Sequence, residues 1–191
     1  VQEMVLPAIE RHGAIEAWII DDTSFPKQGK HSVGVHRQYC GQLGKQANCQ
    51  AVVTLSVANH GASLPFAYRL YLPREWTEDA ARRKKARIPE EITFKTKPQI
   101  ALEQIQAACA AGVARGVVLM DAAYGCHSDL RRGVSALGLS YVAAIAWTIK
   151  VQAVTKGKPS KPAVPRLSAK ELAMSLPRHA WRTVTWRQGT N

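Results

Sequence analysis

Two apolar runs in this chain end in aspartate, and no other feature of the sequence limits its folding so strongly. Trp18-Ile19-Ile20 runs into Asp21-Asp22, and Val117-Val118-Leu119-Met120 runs into Asp121. Each run reads as a buried strand, which ordinarily stops at Gly, Pro, Asn or Ser. An unpaired carboxylate is costly inside an apolar core, so the acids belong at its mouth. There they either cap turns or hold a cation.

The intervening segments give the order of elements. Gln50 to Ala58 alternates, with Val53, Leu55 and Val57 on one face, and Asn59-His60-Gly61 makes a turn. Ser63 to Leu72 alternates through Leu64, Phe66, Tyr68 and Leu70, which predicts an antiparallel hairpin after the first strand. The segment between Asp22 and Gln50 reads as a Gly- and Lys-rich connection, and residues 74–91 as a polar stretch. Pro98 opens a helix with Leu102, Ile105 and Cys109 on one side, closed by Gly112. Leu130, Val134 and Leu137 mark a second helix stopped by Gly138, and Ser140 to Ala146 a fifth strand. The order βββαβαβ is that of an α/β, RNase H-like fold: a mixed five-stranded sheet flanked by helices. In that order the first and fourth strands run parallel at the sheet centre, so Asp21 and Asp121 meet at their C-terminal ends.

With 191 residues, 46% of them hydrophobic, the chain suffices for one domain with a sizeable core. We expect that core at 1–150, followed at 151–191 by a basic Lys- and Pro-rich linker, TKGKPSKPAVPR, a short helix and a strand around Trp181 to Arg187. The chain starts without methionine in what reads as mid-helix and stops on Gly189-Thr190-Asn191, so both ends read as cut.

Paired carboxylates at one sheet edge suit Mg²⁺ or Mn²⁺, and two such ions about 3.5–4 Å apart can support phosphodiester chemistry. Side chains alternate along a strand, so only one of Asp21 and Asp22 can join Asp121. We assign Asp21 as the ligand and expect Asp22 to hydrogen-bond a following turn through Thr23 and Ser24. The blander alternatives are a turn former at Asp21 and a helix-start carboxylate at Asp121. His127 follows Asp121 closely enough to approach such a site.

Twenty-six Lys and Arg against 14 Asp and Glu give a formal charge of +12, which suits a polyanion such as nucleic acid or an acidic membrane surface. Lys27, Lys30, His31, His36, Arg37 and Lys45 surround the expected site mouth in sequence. Arg82, Arg83, Lys84, Lys85 and Arg87 form a second run, beside Trp76, which either stacks on a base or packs the run down. Helix-turn-helix and RNA-recognition signatures are absent. No apolar run approaches the roughly 20 residues of a spanning helix, and no signal peptide is evident, so a soluble intracellular protein is expected. The four cysteines form no CxxC pair and read as reduced packing residues.

DDTSFPKQGKHSVGVHRQYCGQLGKQANCQ, YRLYLPREW, MDAAYG and WRTVTWRQGT together resemble the DDE transposases of bacterial insertion sequences, specifically the IS701-like group of the IS4-related class. The likeness covers nearly the whole chain. Its Asp-x-Thr pattern falls on Asp21, Asp22 and Thr23, and its Asp-Ala-x-Tyr-Gly on Asp121 to Gly125. The resemblance implies Mg²⁺-dependent cleavage and joining of transposon-end and target DNA by three acids, in a cytoplasmic, nucleoid-associated protein that self-associates at full length. The third acid, a Glu on a late helix beyond a β insertion, has no counterpart here. Glu171 stands in Ser168-Ala169-Lys170-Glu171, a capping box, and is read as a helix cap. Two further readings stay open: a non-catalytic, basic DNA-binding remnant, and a stand-alone RNase H-like nuclease that would need Asp129 as its extra acid.

Overall fold

The computed structural model describes residues 2–151 and 166–183. Most of the expected linker, residues 155–165, and residues 184–187 of the expected late strand lie outside the described residues. The chain divides into two compact units, Val1–Ala144 and Ile145–Asn191.

The first unit is an α/β domain on a mixed sheet. Helix α1 (Gln2–Glu10) leads into β1 (Ala17–Pro26), β2 (His36–Cys40), β3 (Lys45–Ala58) and β4 (Ser63–Leu70). Short helices α2 (Arg74–Thr77) and α3 (Ala80–Ala86) precede α4 (Lys97–Ala110), β5 (Val117–Met120), α5 (Ala122–Gly125), α6 (Ser128–Ala136) and β6 (Tyr141–Ala143). The sheet order is β2-β3-β1-β5-β6, with β4 also on β3. β1 is antiparallel to β3 and parallel to β5, and β5 is parallel to β6. This is the RNase H-like arrangement anticipated from the element order.

Several details depart from expectation. The sheet has six strands, because the supposed connection contains β2, which pairs with the first residues of β3 across a tight turn at Gly41–Leu43. HRQYC and KQANC lack apolar alternation, so neither signals a strand. The strand expected to stop at Asp21 continues to Pro26, since β3 is long enough to supply partners from Ala58 back to Cys49. In β4 only Phe66 is fully buried, while Leu64 and Tyr68 are 41% and 59% exposed. The register shifts between Leu55 and Ser56, where Ala67 and Pro65 are the successive partners, and the resulting bulge at Phe66 breaks the alternation. The polar stretch folds into α2 and α3, and the fifth strand shortens to Tyr141–Ala143.

Burial follows parity. Trp18, Ile20, Val53, Leu55, Val57 and Val118 are buried on one sheet face, with Ile9 of α1, Ile105 of α4, and Leu130 and Val134 of α6 in the same cluster. The Trp18 indole N–H donates to the Ala114 carbonyl at 2.9 Å, tying β1 to the loop before β5. α4 starts at a Thr96–Gln99 capping box with Pro98 in its first turn, as its sequence predicts. It ends before Gly112, whose φ of +70° lies in the left-handed region.

In the second unit β7 (Lys150–Val151) pairs antiparallel with β8 (Leu167–Ser168), followed by α7 (Ala169–Ser175). Trp181 to Thr183 are not in a strand.

Gly125 is a point of close approach: a Cβ there would lie 2.1 Å from the Ala144 carbonyl oxygen. Gly125→Ala is expected to destabilise the domain by about 1–3 kcal/mol through overpacking, read as a lowered urea midpoint with an unchanged slope.

Candidate active site

The β1–β5 register runs from Ala17↔Val117 to Ile20↔Met120 and stops. The next residue on each strand is an aspartate. Asp21 and Asp121 are both exposed and share the parity of Ile19 and Leu119, away from the buried face. β5 gives way to α5 at this point while β1 continues along β3, so β1 has lost one neighbour where the acids stand. Asp121 is the N-cap of α5, its Oδ1 accepting from the Tyr124 amide at 3.2 Å. Asp21 Oδ1 accepts from the Asp22 amide at 2.7 Å, and the Asp21 carbonyl accepts from the Thr54 hydroxyl at 3.1 Å.

Asp22 faces the other way, as alternation requires, yet no turn follows for it to cap. Its Oδ2 lies 2.7 Å from Lys97 Nζ and its Oδ1 accepts from the Tyr124 hydroxyl at 3.1 Å. Lys97 and Tyr124 are therefore partners of Asp22 that sequence reading missed. One signal was available: Lys97 opens a helix with no acid in its first turn, the end where a cation is least welcome, so it needs a carboxylate from elsewhere. Burial raises the Tyr124 pKa, and the negative charges of Asp22, Asp21 and Asp121 push it further in the same direction. Tyr124 thus ties two of the three carboxylates: its amide holds Asp121 and its hydroxyl holds Asp22, the residue after Asp21 on β1. Asp22, Lys97, Tyr124, His127 and Gln38 line a cleft of about 270 Å³.

The other candidates separate by environment. Among the described residues no group of three or more His, Cys, Asp or Glu is placed to hold a metal ion. Asp129 is exposed in the first turn of α6 and is paired with Arg132. Glu171 is the cap anticipated, its carboxylate accepting from the Ser168 amide at 2.7 Å while the Ser168 hydroxyl accepts from the Glu171 amide.

Lys27, Lys30, His31, Arg37 and Lys45 are exposed, and His36 pairs with Glu75 at 3.0 Å. In the second run, Lys84, Lys85 and Arg87 are exposed, but Arg82 and Arg83 are engaged inside the protein. Arg82 stacks 3.6 Å over the Trp76 ring, and Arg83 donates to the carbonyls of Thr77, Pro89, Glu90 and Ile92. Trp76 itself is 2% exposed and donates to the Val35 carbonyl, so it packs the run down and is closed to a base.

The whole chain, residues 1–191, matches the family described as DDE superfamily endonuclease. This chain belongs to the DDE superfamily endonucleases. It is 32% identical over 128 residues to a protein of Microchaete diplosiphon titled "Probable transposase for insertion sequence element IS701". That match covers 66% of this chain and 31% of the relative. The DDE-family chain thus spans about a third of the curated relative's length. No solved structure matches it. DDE superfamily endonucleases are enzymes that use divalent metal and bind DNA. Among the described residues no helix is long and apolar enough to cross a membrane.

Two outcomes test this geometry. Lys97→Met leaves a largely buried carboxylate short of its cation and should cost about 1–3 kcal/mol in urea unfolding, part of which Asp22→Asn in the same background restores. The Glu171 carboxyl is held down to about 2, first by the Ser168 amide, then by the Ser168 side chain and Lys150. Because its folded pKa is depressed, the cap is complete above the ordinary carboxylate range near 4.5 and is lost as pH falls toward about 2, which an NMR titration of Glu171 would follow.

Proposed function

We propose that this chain carries two acids of a DDE transposase active site, serving metal-dependent DNA strand cleavage and strand transfer at transposon ends. Asp21 and Asp121 would hold Mg²⁺ or Mn²⁺. The observation that carries this reading is the end of the β1–β5 pairing at Ile20↔Met120, with an aspartate next on each strand. Asp21 and Asp121 each have Oδ1 engaged by a main-chain amide, so both carboxylates are oriented before a cation arrives. Hard oxygen donors at the ends of two paired strands fit these ions. An ion held there would supply the positive charge that activates an attacking water or 3′-hydroxyl and stabilises the leaving oxygen.

The chain's own residues do the rest of the work available to them. Lys97 and Tyr124 fix Asp22, and through it the stretch of β1 that presents Asp21. The exposed cations Lys27, Lys30, Arg37, Lys45, Lys84 and Lys85 neutralise phosphates of transposon-end and target DNA, while Arg82 and Arg83 shape the surface that carries them. Glu171 and Asp129 are committed elsewhere, so these residues supply two of the three acids such a centre uses. Self-association belongs to the full-length protein, which would act at the bacterial nucleoid. The core responsible is 1–150, with 151–191 as linker and start of the insertion.

Calorimetric titration with Mn²⁺ tests the assignment against Asp21→Asn and Asp121→Asn. Binding by the parent that weakens at least about tenfold in each variant is the expected result, since each change removes a charged oxygen ligand. Undiminished binding in both variants sinks it. A parent that ignores Mn²⁺ but binds DNA with a steep salt dependence, unchanged by either substitution, is instead a non-catalytic DNA-binding remnant.

A further inference from the structure

The two faces of the first unit's sheet differ in chemistry. Helices α1, α4 and α6 all send buried side chains to the face of Trp18 and Val53. On the opposite face, composition changes at Asp21. Before it, Ile19, Leu119 and Val142 stand in one row across β1, β5 and β6. Beyond it, the register puts Phe25 opposite Gln50, Arg37 opposite Asn48 and Tyr39 opposite Gln46. These pairs share a face, because directly opposed residues do and β3 contributes every second residue. Phe25 is 43% exposed and Tyr39 60%.

We infer that this half of the face is a docking surface for single-stranded DNA next to the acids, an inference that rests on the DNA-partner reading above. Three observations commit it to that occupant. Gln46 and Asn48 present side-chain amides that a covering apolar helix would leave without partners, whereas bases and sugars offer both donors and acceptors; Gln50 donates to the Val33 carbonyl at 2.6 Å, which marks where the loop after β1 reaches this face. Phe25 and Tyr39 are exposed on the same face, and an unpaired base has a free π-face for stacking that a duplex keeps buried in its own stack. The surrounding charge is positive: Arg37 lies on the face itself, and the exposed Lys27 and Lys45 stand where β1 ends and β3 begins. Asp21 is four residues from Phe25 on the same strand, roughly 13 Å at the rise of an extended chain, so a strand laid here has its phosphates within a few nucleotides of the acids. The face therefore receives DNA opened beside the point of cleavage.

Fluorescence anisotropy with a labelled oligothymidylate and with a duplex of equal length, on the full chain, tests the surface. Phe25→Ala and Tyr39→Ala should each weaken single-strand binding about tenfold while leaving duplex affinity and the thermal midpoint unchanged. Both should keep the parent's salt slope, and Arg37→Ala should reduce that slope by about 0.7, the loss of one phosphate contact. Unchanged single-strand affinity in both aromatic variants overturns the inference while leaving the Mn²⁺ result standing. An equal loss on duplex overturns stacking as the cause. A parent that binds neither DNA overturns this surface and the DNA-partner reading together.

Discussion

The structure depends on β1 being shared between two neighbours of opposite direction. Along all of Ala17–Pro26 it is held antiparallel by β3, whereas only Ala17–Ile20 are also held by β5. The strand thus has a fully paired half inside the sheet and a half-paired half beyond it. Asp21 is the first residue of the second half. A carboxylate there keeps the backbone order of a sheet interior and the solvent access of a sheet edge, a combination that neither a loop nor a fully paired strand provides.

The network around Asp22 makes that arrangement rigid. Lys97 from α4 and Tyr124 from α5 converge on one carboxylate, 2.7 and 3.1 Å from it. The middle of β1, the start of α4 and α5 are locked together without using Asp21 or the outer oxygen of Asp121. Gly125 belongs to the same device. It lets α5 press against the chain after β6, and without that approach Tyr124 could not sit in the core at 1% exposure with its hydroxyl at Asp22. The motif Asp121 to Gly125 therefore has a physical reason at three of its positions: a cap, a phenol anchor and a contact that admits no side chain.

Much of this was legible in the residues. The acid-terminated runs, the alternation of Val53, Leu55 and Val57, the start of α4 at Pro98 and the capping box at Ser168 are local patterns, and local patterns survive folding when burial agrees with them. Where reading failed, a long-range partner had decided the matter. β2 exists because β3 has an unpaired flank for it, the bulge at Phe66 comes from one extra residue of β4 against Leu55 and Ser56 of β3, and Trp76 is buried with its indole N–H on the Val35 carbonyl. The basic run shows the same limit. Arg82, Arg83, Lys84 and Lys85 are equivalent as charges, yet two are consumed by an indole and four carbonyls and two are left to solvent.

The sequence by itself determined the succession of β1, β3, β4, α4, β5, α6 and β6, the family, and which of Asp21 and Asp22 points away from the core, because strand alternation allows no other choice once Ile20 is buried. Only the tertiary structure decided what Asp22 does, which cations remain exposed, and that Phe25 and Tyr39 stay exposed on the sheet face past Asp21. Those outcomes rest on contacts between residues far apart in the chain, Asp22 with Lys97 and Tyr124 above all, and sequence spacing carries no record of which distant side chains the packed core will bring within hydrogen-bonding reach.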